Sequence, residues 1–311
     1  MNWNLFVTEI ISGVTHGSVY ALIALGYSMV YGILKLLNFA HGDIYMVGAF
    51  IGFGVITLFG GATKLNINVG LLLFLMFLCA TLGGGLVGVM MERFAYRRLR
   101  NAPRIAPLIT ALGVSFFLEN GAQLVLGAQF QSYDTFDWKN DAIGLNGFTI
   151  AAGARVSIAQ VIVVVGTIVL MVFLTLFVQR TQTGKAMRAT SFDREAAAMM
   201  GIDVDRVIVV TFFIGSALAG AAGVFNGIAY QQVWPYMGFQ AGLFAFTAAV
   251  IGGIGNLPGA VLGGLLIGLA ESFATGYLSS TFQEAIVFAI LIAVMLIRPS
   301  GLLGRAAVQK V

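Results

Sequence analysis

Nine apolar runs divide this chain, and they constrain its fold more than any motif does. They lie at roughly 5–33, 43–61, 69–91, 106–127, 156–179, 207–230, 240–254, 259–277 and 282–298. A helix needs about 20 mostly apolar residues to cross a bilayer, and the run 240–254 is too short to do so alone. Of the 311 residues, 59% are hydrophobic and 10% are charged, where soluble domains carry about 25% charged residues. Surface-to-volume scaling leaves a soluble fold of this size no way to hide so much apolar surface, and the mean hydropathy of +0.94 agrees. The expected fold is an all-α polytopic membrane protein, a single transmembrane domain over 1–311. Eight or nine segments cross, with a broken helix near 252–258.

Charge sets the orientation. "ERFAYRRLRNAPR" carries Arg93, Arg97, Arg98, Arg100 and Arg104. The segment 180–206 carries Arg180, Lys185, Arg188, Arg194 and Arg206, and the tail carries Arg298, Arg305 and Lys310. Basic short loops stay cytoplasmic, so these three segments belong inside. The segment 128–155, with Asp134, Asp137 and Asp141 against Lys139 and Arg155, belongs outside. Three runs precede Glu92, which places the N-terminus outside and the C-terminus in the cytoplasm. The start "MNWNLFVTEIISG" has no basic region and no cleavage site, so it reads as the beginning of the first helix. The net charge of +4 is spent on these loops and gives no nucleic-acid signal. The lone Cys79 lies in an apolar run and forms no internal disulfide.

Small residues recur four apart, as in Gly13 and Gly17, Gly48 and Gly52, Gly84 and Gly88, Gly223 and Gly227, Gly238 and Gly242, and Gly264 and Gly268. This spacing suits close helix packing in a membrane. "NFAHGDIYMVGAFIG" and "NLPGAVLGGLLIG" share a further pattern, a polar break followed by a close-packing helix. Transporters place such breaks in matching halves beside the pathway. The first break puts Asn38, His41, Gly42, Asp43 and Tyr45 in an apolar setting. Two readings stand. The stretch is a capping turn, with Gly42 turning, Asp43 capping the next helix and His41 near water, or it lines a pathway. His41 and Asp43 are two residues apart, so on a continuous helix they point in different directions and make a poor catalytic pair.

Catalytic signatures are absent. There is no H-E-x-x-H, G-x-S-x-G or metal-binding cysteine pair. "TGKA" at 183–186 lacks the first glycine and the Ser or Thr of a phosphate loop. An intramembrane enzyme and a stand-alone channel or secondary carrier remain as rival classes. The cytoplasmic loop 180–206 is the most informative segment. Ser191 or Asp193 can cap a helix that Gly201 stops, with Glu195 in its first turn. Ala196, Ala197, Met199 and Met200 make a short thin helix that needs a partner surface. A mere connector is the plainer alternative.

At "EAAAMMGID" the chain resembles the E-A-A-x3-G signature of ABC importer permeases. "GSVYALIALGYSMVYGILKLLNFAHGDIYMVGAF" and "AVIGGIGNLPGAVLGGLLIGLAES" are similar to blocks of branched-chain amino acid permeases of the LivH type. The resemblance covers most of the chain. It implies one of two unlike permease subunits in the bacterial inner membrane, among membrane lipid. A periplasmic binding protein supplies substrate, and two cytoplasmic ABC ATPases use ATP and Mg; this chain binds no cofactor of its own. It implies ATPase coupling through Arg188, Asp193, Glu195, Ala196, Ala197 and Gly201. It implies a substrate path past Asn38, Gly42, Asp43, Tyr45, Gly252, Gly253, Gly255 and Asn256, with alternating access for aliphatic amino acids. The "RVIVVTFF" segment departs from the general ABC signature, which continues to a proline. Urea and short-chain amide permeases share the "NFAHGD" block, which keeps those substrates as the alternative.

Overall fold

The computed structural model describes residues 3–59, 69–100, 102–103, 105–133, 147–149 and 154–304. Arg104, Asp134, Asp137, Lys139, Asp141, Arg305 and Lys310 lie outside the described residues.

The apolar runs are helices. They are α1 (Trp3–Leu34), α2 (His41–Leu58), α3 (Val69–Met91), α4 (Ile105–Leu126), α5 (Ile158–Arg180), α8 (Val204–Tyr230), α9 (Met237–Gly252), α10 (Leu257–Tyr277) and α11 (Gln283–Ile297). Two short helices, α6 (Gln182–Phe192) and α7 (Arg194–Met199), lie between α5 and α8. Beyond α3 the chain continues as a π turn at Glu92–Tyr96 and a 3₁₀ turn at Arg97–Leu99. A 3₁₀ turn at Ser280–Phe282 leads into α11, so that the last span runs over Ser280–Ile297, and two antiparallel pairs of two-residue strands complete the described elements. Gln131–Ser132 (β1) pairs with Gln232–Val233 (β4), and Phe148–Thr149 (β2) pairs with Arg155–Val156 (β3).

Among the described residues, eight stretches are long and apolar enough to cross a membrane, and α9 is a shorter apolar helix. Its 16 residues extend about 24 Å at 1.5 Å per residue. It starts where Tyr236 hydrogen-bonds Gln123 and ends where Gly253 meets Gly304. Those two points belong to opposite ends of the bundle, so α9 joins them despite its length. The basic segments gather at one end. There Arg100 bridges Glu92 and Asp205, Arg97 pairs with Asp205 at 2.9 Å, and Arg194 donates to the Ile33 carbonyl at 2.8 Å. The other end carries the strand pairs and the buried Tyr133, whose hydroxyl donates to the Ala49 carbonyl between α2 and α8.

The helices form an inner and an outer layer. The most apolar windows of α1 and α8 are 89% and 72% buried, against 22% for α4 and α5 and 6% for the last span. Glycine explains how the inner layer closes. A Cβ on Gly17 would stand 2.8 Å from Leu265 Cα, and one on Gly264 would stand 2.6 Å from Ala21 Cα. The Gly13/Gly17 pair of α1 thus interlocks with the Gly264/Gly268 pair of α10. Gly48 and Gly84 both meet Gly220, where α2 and α3 press on α8. Without a hydrophobic drive between helices in lipid, this close contact is what holds them. Cys79 is exposed on α3.

Candidate functional site

The bundle holds a cavity of about 250 Å3 toward the end that carries the strand pairs. Five elements build its wall. α1 supplies His16 and Tyr20, α2 supplies Tyr45, α8 supplies Asn226 and Tyr230, α9 supplies Met237, Gln240 and Ala241, and α10 supplies Glu271. Gln232 and Trp234, from the segment between α8 and α9, complete the lining. The side chains are fixed by one another. His16 stacks on Tyr230 with ring centroids 4.5 Å apart, and its Nδ1 stands 4.0 Å from Glu271 Oε2. Gln283 donates to the other oxygen of Glu271, and Gln240 donates to Glu284 at 3.1 Å. Ser272 donates to Glu9 beside it at 2.5 Å.

Aromatic rings close this chamber toward the basic end. Tyr20 meets Phe244 edge-on at 5.6 Å, and further along the same helices Tyr27 meets Phe246 at 6.1 Å and His41 at 4.9 Å. Below them lies a cavity of about 10 Å3 walled by Tyr27, Asn38, His41, Phe246 and Ile254. Both cavities draw part of their walls from α1, α2 and α9, and the ring contacts of Tyr20, Phe244, Tyr27 and Phe246 belong to the same helices.

Tyr45 therefore stands on the wall of the upper chamber and Asn38 on that of the lower one. Asn38 also accepts from the buried Tyr96 hydroxyl at 2.7 Å, which ties the α1–α2 break to the π turn after α3. The capping-turn expectation for the next residues is corrected. Helix α2 begins at His41, its N-cap is Ala40, and no side chain caps it. His41 is 1% exposed rather than near water, because its ring packs against Gly26 and Tyr27. Asp43 is fully buried beside Gly238 and faces Ser115 and Glu119 on α4. Gly42 is packed against the backbone of Gly238 and Gly242.

The 252–256 break also serves the architecture. Gly252 packs on Gly259, and Gly253, at φ 102°, packs on Gly304. The Leu302 and Leu303 amides donate to the Ile251 and Gly252 carbonyls. Asn256 accepts from the Gly259 amide at 3.3 Å as the cap of α10, and donates to the Leu303 carbonyl at 2.6 Å. Asn38 and Asn256 thus do different work, although both breaks lie at the same end. Gly255, exposed at φ 89°, lines a separate 90 Å3 cleft with Gly32, Arg188 and Ser191. This cleft joins the break to the root of α6.

The 180–206 segment folds as two helices. Thr181 caps α6 by accepting from the Gly184 amide at 3.0 Å, and Met187 and Thr190 bury its inner face. Asp193 rather than Ser191 caps α7, accepting from the Glu195 and Ala196 amides at 2.9 and 3.0 Å. Gly201, at φ 83°, ends it. Only Ala197 of α7 is buried; Glu195 and Ala196 are exposed, as is Arg188 on α6. Phe192, Met199 and Met200 stand 95%, 83% and 83% exposed. Burial, and then the nearby Arg100, draws the Arg194 guanidinium below its usual pKa, and its hydrogen bond to Ile33 holds it on the end of α1.

Sequence reasoning did not single out His16, Tyr20, Asn226, Tyr230 or Glu271. A signal was present, since an ionisable residue inside an apolar run marks a functional site by default. Glu271 sits in the run 259–277 and Glu119 in the run 106–127. The described residues contain no group of three or more metal-ligating side chains.

A polar chamber enclosed by membrane helices, over a short helix pair that projects from the opposite end, defines a membrane permease. The chain belongs to the family described as "Branched-chain amino acid transport system / permease component", whose model matches residues 9–295. It is 41% identical over 310 residues to the high-affinity branched-chain amino acid transport system permease protein LivH of Escherichia coli (strain K12), covering 98% of each chain. It is 41% identical over 306 residues to BraD, the corresponding permease protein of Pseudomonas aeruginosa, again covering 98% of each. A probable LivH of Methanocaldococcus jannaschii is 29% identical over 304 residues, covering 94% of this chain and 90% of that one. No solved structure matches the chain.

Proposed function

We propose that this chain is a transmembrane subunit of an ATP-driven importer for branched-chain and related aliphatic amino acids. It works by alternating access in the bacterial inner membrane, with the basic end in the cytoplasm. The α6–α7 pair carries the ATP-driven part of this reading. It places Phe192, Met199 and Met200 in the open at the end where the arginines gather, and water-exposed apolar side chains on a capped helix mark a docking surface. A channel or secondary carrier has no use for it. The names of the relatives supply the substrate class.

The geometry supports a mechanical route. A cytoplasmic ABC ATPase, using ATP and Mg, seats against α7. Arg194 passes the movement of α7 to the Ile33 carbonyl at the end of α1. The same helix carries Tyr27 in the ring barrier and His16 and Tyr20 in the chamber. Tilting α1 therefore loosens the barrier while it reshapes the chamber. A periplasmic binding protein delivers substrate at the opposite end, and a second, unlike permease subunit completes the membrane part. Binding energy has to differ between the two states of α1 for the ATPases to drive it.

Cells that lack this gene should lose most uptake of labelled leucine and keep that of labelled urea, and the intact gene should restore it. Phe192→Asp with Met199→Asp should leave the permease in the membrane but release the co-purifying ATPase. Urea uptake lost in place of leucine refutes the substrate class. Unchanged ATPase attachment refutes the docking role.

A further inference from the structure

Two buried polar atoms of opposite character make no complete hydrogen bond around the upper chamber. Glu271 is 5% exposed, and Gln283 satisfies one of its oxygens; the Tyr20 hydroxyl lies beside the carboxyl and His16 Nδ1 stands 4.0 Å from Oε2, yet no donor completes a hydrogen bond to Oε2 by distance and angle. Tyr230 is half-buried, but its hydroxyl oxygen is shielded from solvent and unpartnered. Both residues bear on the His16 ring, Tyr230 by stacking and Glu271 at 4.0 Å, so the two atoms are held in one neighbourhood. A buried carboxylate inside a membrane protein persists where it meets a partner or a cavity. A buried hydroxyl without a partner is costly until something answers it. The chamber's 250 Å3 is close to the small end of ligand pockets, which run from about 300 Å3 upward. The rest of the wall includes apolar surface from Met237 and Ala241.

We infer that the chamber is a zwitterion site within the permease itself. It takes an α-amino acid with its ammonium on Glu271, its carboxylate on the Tyr230 hydroxyl and the Asn226 amide, and its aliphatic chain against Met237 and Ala241. Charge-assisted hydrogen bonds of this kind are the strong ones. A neutral solute such as urea can donate to Glu271 but leaves its charge uncompensated, and it offers no carboxylate to the Tyr230 hydroxyl, so it forgoes the stronger charge-assisted bonds. The inference rests on the amino-acid reading above. It adds that selection is exercised here as well as by a delivering protein.

The single cysteine makes the test direct. In a Cys79→Ser background, Ala241→Cys is modified with a small methanethiosulfonate in membrane vesicles that carry the whole importer. Leucine at about ten times its dissociation constant should slow modification by roughly tenfold, as occupancy of the site requires. Neither 4-methylpentanoate, which lacks the ammonium, nor 3-methylbutylamine, which lacks the carboxylate, should do so. Adding Glu271→Gln should remove the protection by leucine, and Glu271→Asp should keep part of it. Equal protection by all three compounds, or none by leucine, overturns the zwitterion site. Leucine uptake by vesicles with Cys79→Ser alone separates the two failures. Absent uptake sinks the transport reading, whereas intact uptake without protection sinks this one.

Discussion

Single glycines decide how near the inner helices come. Gly264 has no room for a side chain, since a Cβ there stands within 2.8 Å of three atoms of Ala21. Gly113 faces open space, with nothing within 4 Å. Gly264→Val should therefore cost roughly 1–3 kcal/mol of packing strain and lower the thermal midpoint of the detergent-solubilised protein. Gly113→Ala should leave that midpoint unchanged or raise it slightly, because Ala is the better helix former by up to about 1 kcal/mol. Equal effects at the two positions would show that α1 and α10 are not held by this crossing. The sequence displayed the Gly13/Gly17 and Gly264/Gly268 pairs, yet nothing in it said that they meet each other. Asn38 and Asp43 stood out for the same reason that Glu271 should have, as polar groups in apolar runs. Their work depends on Tyr96, Ser115 and Glu119, which lie far along the chain. Local pattern has no access to such partners.

Helix α7 shows the opposite case. Its cap, its alanines and its terminal glycine are all local, and they were legible in order. Asp193 answers two amides, so Asp193→Ala should cost about 1 kcal/mol, and amide exchange over 194–199 should accelerate. Exchange at the wild-type rate would mean that packing alone holds the helix. Helix α6 was not legible as a helix because Thr183, Gly184 and Thr190 are weak formers; it forms by burying Gly184, Met187 and Thr190 on the bundle. The link from α7 to α1 is also tertiary. Arg194→Ala removes the donor to Ile33, and it should lower leucine uptake several-fold while ATP hydrolysis by the assembled importer continues. Hydrolysis and uptake falling in parallel would place Arg194 in assembly instead.

At the level of the whole molecule, nine helices join the two ends in alternation among the described residues, an odd number. The chain therefore leaves the bundle on the side opposite to the one where it enters. A cytoplasm-dependent fluorescent reporter should shine when fused after α11 and stay dark when placed before α1. Signal from both positions would remove α9 from the count. Eight of these crossings could be read from hydropathy. The ninth needed the structure, since 16 residues suffice only for a helix shielded by its neighbours. The pairing of α1 with α10 has a further consequence, for biogenesis. The first helix to leave the ribosome presents a glycine-lined face whose tightest partner is made almost last. Until α10 is inserted, that face must be occupied by lipid, by the insertion machinery or by another helix, and the core cannot close in the order of synthesis. A ribosome stalled before Leu257 would hold a bundle whose innermost helix is still waiting for its mate.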